Sequence, residues 1–145
     1  MPQMPALSDE GLKELLSQPL VSKLATTSQT GDVRITPIWF RSEPDGSILM
    51  NTFEESAAVR NLTRNPSCSL LVDSTEWPYT GVHFWGRAAS EGPENDEDGM
   101  AEMFGPYLGD RMDPTEYARL LIGWGTRVYV RFRPERKTTW DFRRG

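Results

Sequence analysis

A chain of 145 residues has room for one hydrophobic core, and its 37% hydrophobic content with five tryptophans is enough to fill one. The net charge of −5 argues against a nucleic-acid partner, whose phosphates demand a basic face, and no apolar run approaches the length of a membrane span. A single cysteine excludes an intramolecular disulfide and any multi-cysteine zinc site, a single histidine excludes the multi-histidine metal sites, and the lack of a secretory signal reads as cytoplasmic.

Residues 8–18 read as a short amphipathic helix. Ser8 can cap it, Asp9 and Glu10 suit its positive end, Leu12, Leu15 and Leu16 share a face, and Pro19 ends it. Strands follow over 20–27, 32–41 and 47–52, joined by the turn signals Thr30-Gly31-Asp32 and Pro44-Asp45-Gly46. On the second strand Val33, Ile35 and Trp39 alternate with Arg34, Thr36, Ile38 and Phe40. One face can fill a barrel, and the other then needs cover from a ligand or a second chain. Pro37 interrupts this strand, marking either an edge or a gap where a flat ring meets the backbone.

A helix is expected over 54–64, stopped by Asn65-Pro66, then a fourth strand over 67–72 in which Cys68 packs as a small hydrophobe. The fifth strand covers 81–90. Residues 92–123 lose the β pattern. Met100, Met103, Phe104 and Tyr107, then Tyr117, Leu120 and Leu121, recur at helical spacing and predict two short helices. A sixth strand over 126–133 sets Val128, Val130 and Phe132 opposite Arg127, Arg131 and Arg133, and 137–142 is a candidate seventh. The chain therefore reads as a mainly β protein, a six- to seven-stranded antiparallel barrel with short peripheral helices.

Charge is unevenly placed. Residues 91–98 are acidic and 127–144 basic. The plain reading is a solvated loop and an Arg-rich outer strand face, and the basic strip could also attract a small anion. No P-loop, nucleophile elbow or dinucleotide-binding glycine fingerprint is present. His83, between apolar and aromatic neighbours, reads as a packed or interface histidine before a general acid–base. If the chain is an enzyme, a cofactor must carry the chemistry. A helix after the third strand offers backbone N–H groups at its start for an anionic group.

Several segments together resemble the pyridoxamine 5'-phosphate oxidase-like split-barrel superfamily, in particular its deazaflavin-dependent oxidoreductase branch. They are Leu24-Ala25-Thr26-Thr27, Thr36-Pro37-Ile38-Trp39-Phe40, Asn51-Thr52, Val59-Arg60-Asn61-Leu62 with Asn65-Pro66, the run from Arg127 to Arg136, and Trp140-Asp141. The resemblance implies a split barrel that binds coenzyme F-420 (a deazaflavin) or FMN and moves a hydride to or from a small organic substrate. It places the ring against Thr36, Pro37, Ile38, Trp39, Met50, Asn51 and Thr52. The phosphate would lie near Ser56, with Arg60 and Asn61 close by, although both also suit plain helix-surface roles. It implies a homodimer with the cofactor between barrels, which the aromatic residues Trp77, Tyr79, Phe84, Trp85 and Trp124 would serve unless they are core. One segment departs from the pattern. Relatives that bind the deazaflavin carry basic residues, including a lysine three positions before the asparagine, where this chain has Glu54, Glu55 and Ala58. That departure favours the alternative of a non-catalytic flavin-, haem- or tetrapyrrole-binding protein.

Overall fold

The computed structural model describes residues 4–144. Its elements in order are α1 (Asp9–Leu16), β1 (Val21–Thr27), β2 (Val33–Ser42), β3 (Ile48–Phe53), α2 (Ala57–Arg64), β4 (Ser67–Asp73), β5 (Thr80–Glu91), α3 (Glu97–Leu108), α4 (Pro114–Trp124) and β6 (Arg127–Asp141). A 3-10 turn over Phe142–Arg144 follows. The strands close into an antiparallel barrel in the order β1-β2-β3-β6-β5-β4. Among the described residues no helix is long and apolar enough to cross a membrane.

Strand alternation sends Leu24, Phe40, Met50, Leu70, Val82 and Phe132 into the barrel, where all are buried. Leu15 of α1 and Ala58, Val59 and Leu62 of α2 join the same cluster. A second cluster forms outside the wall. Leu49 and Tyr129, on the outer face of β3 and β6, pack under Met100, Met103 and Phe104 of α3 and Leu121 of α4. This second cluster accounts for the outer face of β2 near its end, because Trp39 packs against it too. Nearer the start of β2, Val33 and Ile35 stay exposed.

The expected sixth and seventh strands are one 15-residue strand. Pro134 does not break it because the β5–β6 register slips there: Trp85 pairs with Arg136 and Gly86 with Pro134, so Glu135 is the extra residue of a bulge. Gly86 lies directly under the Arg133 carbonyl, where any Cβ would collide. The hairpin between β2 and β3 uses Gly46 at φ +87°, a backbone region that other residues rarely adopt. The Asp45 carboxylate accepts from the Ser47 N–H (2.9 Å) and hydroxyl (2.6 Å), which lowers its pKa to about 2.

The helix expected from residue 54 begins at Ala57, because Ser56 takes the cap position and accepts from the Val59 N–H at 3.3 Å. Phe84, expected among the surface aromatics, lies inside the barrel. Trp77, Tyr79 and Trp124 are exposed. The acidic run meets the basic one where Arg131 pairs with Glu91 at 2.7 Å, and it meets α4 where Arg119 pairs with Glu97 at 3.0 Å.

Candidate functional site

The barrel wall is split between β2 and β3. Their ladder holds only Phe40–Met50, Arg41–Leu49 and Ser42–Ile48. Beyond it β2 continues to pair with β1, and β3 with β6, so the two strands part company at Trp39 and Asn51. Alternate residues of an antiparallel strand turn their backbone groups to opposite neighbours. The Phe40 N–H and C=O both meet the Tyr107 hydroxyl at 3.0 Å, and that hydroxyl also reaches the Leu20 C=O at 2.8 Å. Tyr107 thus stands in for the next rung of the β1–β2 ladder. Burial pushes its own pKa up to about 12. By alternation, Pro37 and Trp39 turn their backbone groups the other way, into the split. Pro37 therefore sacrifices no ladder bond, which explains how a proline sits inside this strand.

A cavity of about 360 Å³ opens at the split. That volume falls within the roughly 300–1,000 Å³ range of small-molecule sites. Its β side comes from Thr36, Pro37, Ile38, Trp39, Asn51, Thr52 and Phe53, and α3, α4 and β6 close the rest with Phe104, Tyr117, Leu121 and Arg127. The walls are flat. Trp39 stacks on Tyr107 (4.5 Å between centroids, 11° between planes) and meets Phe104 edge-on at 5.5 Å. Thr36 Oγ1 is buried at this wall without a hydrogen-bond partner.

Six of the residues expected to meet a ring, Thr36 to Trp39 with Asn51 and Thr52, therefore line one cavity. Met50 is not among them: its side chain is fully buried inside the barrel, on the opposite face of β3 from Asn51. Among the residues expected near a phosphate, Ser56 lines a second recess of about 590 Å³, which shares Phe53 with the first and is bounded by Glu54, Glu55 and Trp124. Arg60 lies exposed and donates to the Glu55 carbonyl. Asn61 is turned inward: it donates to Thr26 Oγ1 at 3.0 Å and accepts from Arg64 at 3.1 Å. Ala58, at the lysine's place, is buried in the core. The Glu54 carboxyl is held above its ordinary value, chiefly by a hydrogen bond and repulsion from Glu94.

Sequence reasoning missed Arg127 as a site residue. It is 7% exposed. Its backbone is clamped by Asn95, which accepts from its N–H and donates to its C=O, both at 2.9 Å. Its Nε donates to Asn51 Oδ1 at 2.8 Å and Nη2 to the Asn51 carbonyl at 3.2 Å, while the guanidinium rests 4.4 Å from the Phe53 ring centroid. Burial lowers its pKa to about 10, so it is a cation at neutral pH.

The larger recess of about 680 Å³, by α1 and the 43–46 turn, holds none of the expected residues. His83 packs on Trp85 (4.0 Å) on the outer wall, away from the split, and burial lowers its pKa. Cys68 is pushed up to about 12 by burial, which leaves it a poor nucleophile.

Residues 8–140 match the family model described as pyridoxamine 5'-phosphate oxidase. None of the curated proteins matches. Among solved structures, the chain is similar to Rv2991, a conserved hypothetical protein of Mycobacterium tuberculosis, with a TM-score of 0.74 and 24% identity over 98% of this chain and 91% of that one. It is similar to a structure named as an F420 reductase, with a TM-score of 0.68 and 20% identity over 87% of this chain and 94% of that one. It also resembles the haem storage protein HutZ of Vibrio cholerae, with a TM-score of 0.66 and 18% identity over 91% and 94% of the two chains. At these identities the likeness is one of fold.

Proposed function

Because the chain belongs to the pyridoxamine 5'-phosphate oxidase family, we propose that it is an oxidoreductase that holds coenzyme F-420 or FMN at the split between β2 and β3. The observation that carries the reading is the convergence of Thr36, Pro37, Ile38, Trp39, Asn51 and Thr52 on one flat-walled cavity beside two strand edges without ladder partners. A tricyclic ring needs apolar faces and backbone partners for its polar rim, and both are present. When bound, such a ring supplies the hydride chemistry. The chain's own part is to bind and orient. Trp39, propped by Tyr107 and Phe104, gives a rigid wall. The backbone groups of Pro37 and Trp39 are polar groups for a ring's edge, and side chains of α3 and α4 close one side of the cavity. The tail fits less well. The recess beside Ser56 carries Glu54 and Glu55, and a like-charge contact at partial exposure costs on the order of 1 kcal/mol.

The ligand site in this reading is shared by a homodimer. Val33, Ile35 and Val21 are exposed apolar residues on neighbouring strands beside the split, 67%, 65% and 41% accessible. A second barrel would cover them. The acidic recess supports a second reading, a non-catalytic binder of a flavin or tetrapyrrole, and HutZ shares the fold. Photometric titration of the purified protein with F-420, FMN and haem separates the two. The oxidoreductase reading expects saturable spectral change with a flavin-type cofactor and turnover of a hydride acceptor. Saturation with haem alone would refute it.

A further inference from the structure

We propose that the cavity recognises a flat, unsaturated carboxylate, and that Arg127 is its receptor. The inference rests on the proposed function only in taking the cavity at the split as the ligand site. Arg127 is a buried cation without a counter-ion: among the described residues no carboxylate lies within ion-pair distance of it. Of the other β6 arginines, Arg131 pairs with Glu91 and Arg133 with Asp45, while Arg136 lies exposed over the Trp85 ring. A buried charge left unpaired is costly, and an anion in the adjoining cavity would offset that cost.

The guanidinium is also held ready. Asn95 fixes the backbone, Asn51 takes Nε and one Nη2 hydrogen, and Phe53 backs the cationic plane. Among the described residues Arg127 donates from Nε and Nη2 and makes no hydrogen bond from Nη1, and the residue lines the cavity. The free edge formed by Nη1 and the second Nη2 hydrogen is a fork that can donate to both oxygens of a carboxylate. The rest of the ligand is set by the walls. Tyr117 and Leu121 on α4 and Trp39 across the cavity select a planar apolar body. The acidic recess beyond Phe53 disfavours a second negative charge, so a single carboxylate close to the flat body suits the site better than a phosphate on a long tail.

Cinnamate and its uncharged isostere cinnamamide test this by calorimetric titration, with and without saturating FMN. The acid is expected to bind roughly tenfold or more tightly than the amide, as for a charge-assisted bidentate contact. Arg127→Met should bring the ratio close to one, and Arg127→Lys should keep part of it. Circular dichroism checks that the variants fold, and the wild-type ratio stands without them. A wild-type ratio near one, or no binding of the acid in either titration, overturns the proposal. Riboflavin against FMN distinguishes the source of the anion: a preference for FMN that disappears in Arg127→Met, with no preference for the acid, assigns Arg127 to the cofactor's phosphate and also overturns it. If FMN fails to bind and the acid is still preferred, the cofactor reading falls and this one stands.

Discussion

Replacing Tyr107 with phenylalanine removes one oxygen from the point where the barrel opens. That hydroxyl accepts from the Phe40 N–H at 3.0 Å and satisfies the Leu20 carbonyl at 2.8 Å, so its loss orphans a donor and an acceptor together. Phe40 is 3% exposed, so water has little access to its N–H. An orphaned buried donor costs about 1–3 kcal/mol. The stack on Trp39 survives in phenylalanine, so Tyr107→Phe should lose about 1–3 kcal/mol. Tyr107→Ala also loses the ring and leaves a cavity, for about 3–5 kcal/mol. Urea unfolding of the three proteins measures both differences. A phenylalanine variant within about 0.5 kcal/mol of wild type, the ordinary range for an inconsequential surface change, would refute the claim that this hydroxyl replaces a rung of the ladder.

Ala58→Lys should destabilise the fold by a few kcal/mol, because the site is 1% exposed and a lysine there buries a charge or distorts α2; a melting temperature equal to wild type contradicts this. Glu94→Gln should stabilise the protein at pH 7 and change little at pH 4. The Glu54 carboxyl, raised by Glu94 from its ordinary 4.5, contributes stability that is fully present below that value and lost as pH rises through the folded one. A stability difference that does not vary with pH counts against the pairing. Light scattering should give a dimer mass for the wild type and a monomer for Ile35→Lys, whose charge would enter the apolar face; a wild-type monomer at micromolar concentration ends the dimer proposal.

The first three strands were legible because their two hairpins carry turn chemistry at 30–32 and 44–46, and the later ones because of their alternation. Strand alternation also pairs Phe84 with Val82 on the inner face, a parity the expectation of surface aromatics overlooked. Two boundaries misled. The sixth strand was expected to end at residue 133, yet a bulge at Glu135 carries β6 past Pro134. Glu54 and Glu55 read as a helix's first turn, yet Ser56 is the residue whose side chain caps. The β half of the site was readable since Pro37 and its neighbours form one local segment. Its helical half was not: the period of Phe104, Tyr117 and Leu121 shows that they share faces, but not which strand those faces meet. Arg127 was hidden for a similar reason. Along the sequence it is one of three alternating arginines, and only the placement of α4 over the start of β6 separates it from Arg131 and Arg133.

The central claim is that a cofactor ring lies in the split between β2 and β3, and Thr36→Trp tests it most directly. Thr36 Oγ1 makes no hydrogen bond, so the substitution breaks none, and Thr36 lines the cavity of about 360 Å³, which the larger indole would crowd. Titration of F-420 and FMN into both proteins by fluorescence quenching reads the outcome. The account predicts saturable binding to wild type and its loss in a variant with an unchanged circular dichroism spectrum. Equal affinity in the folded variant would place the ring somewhere else.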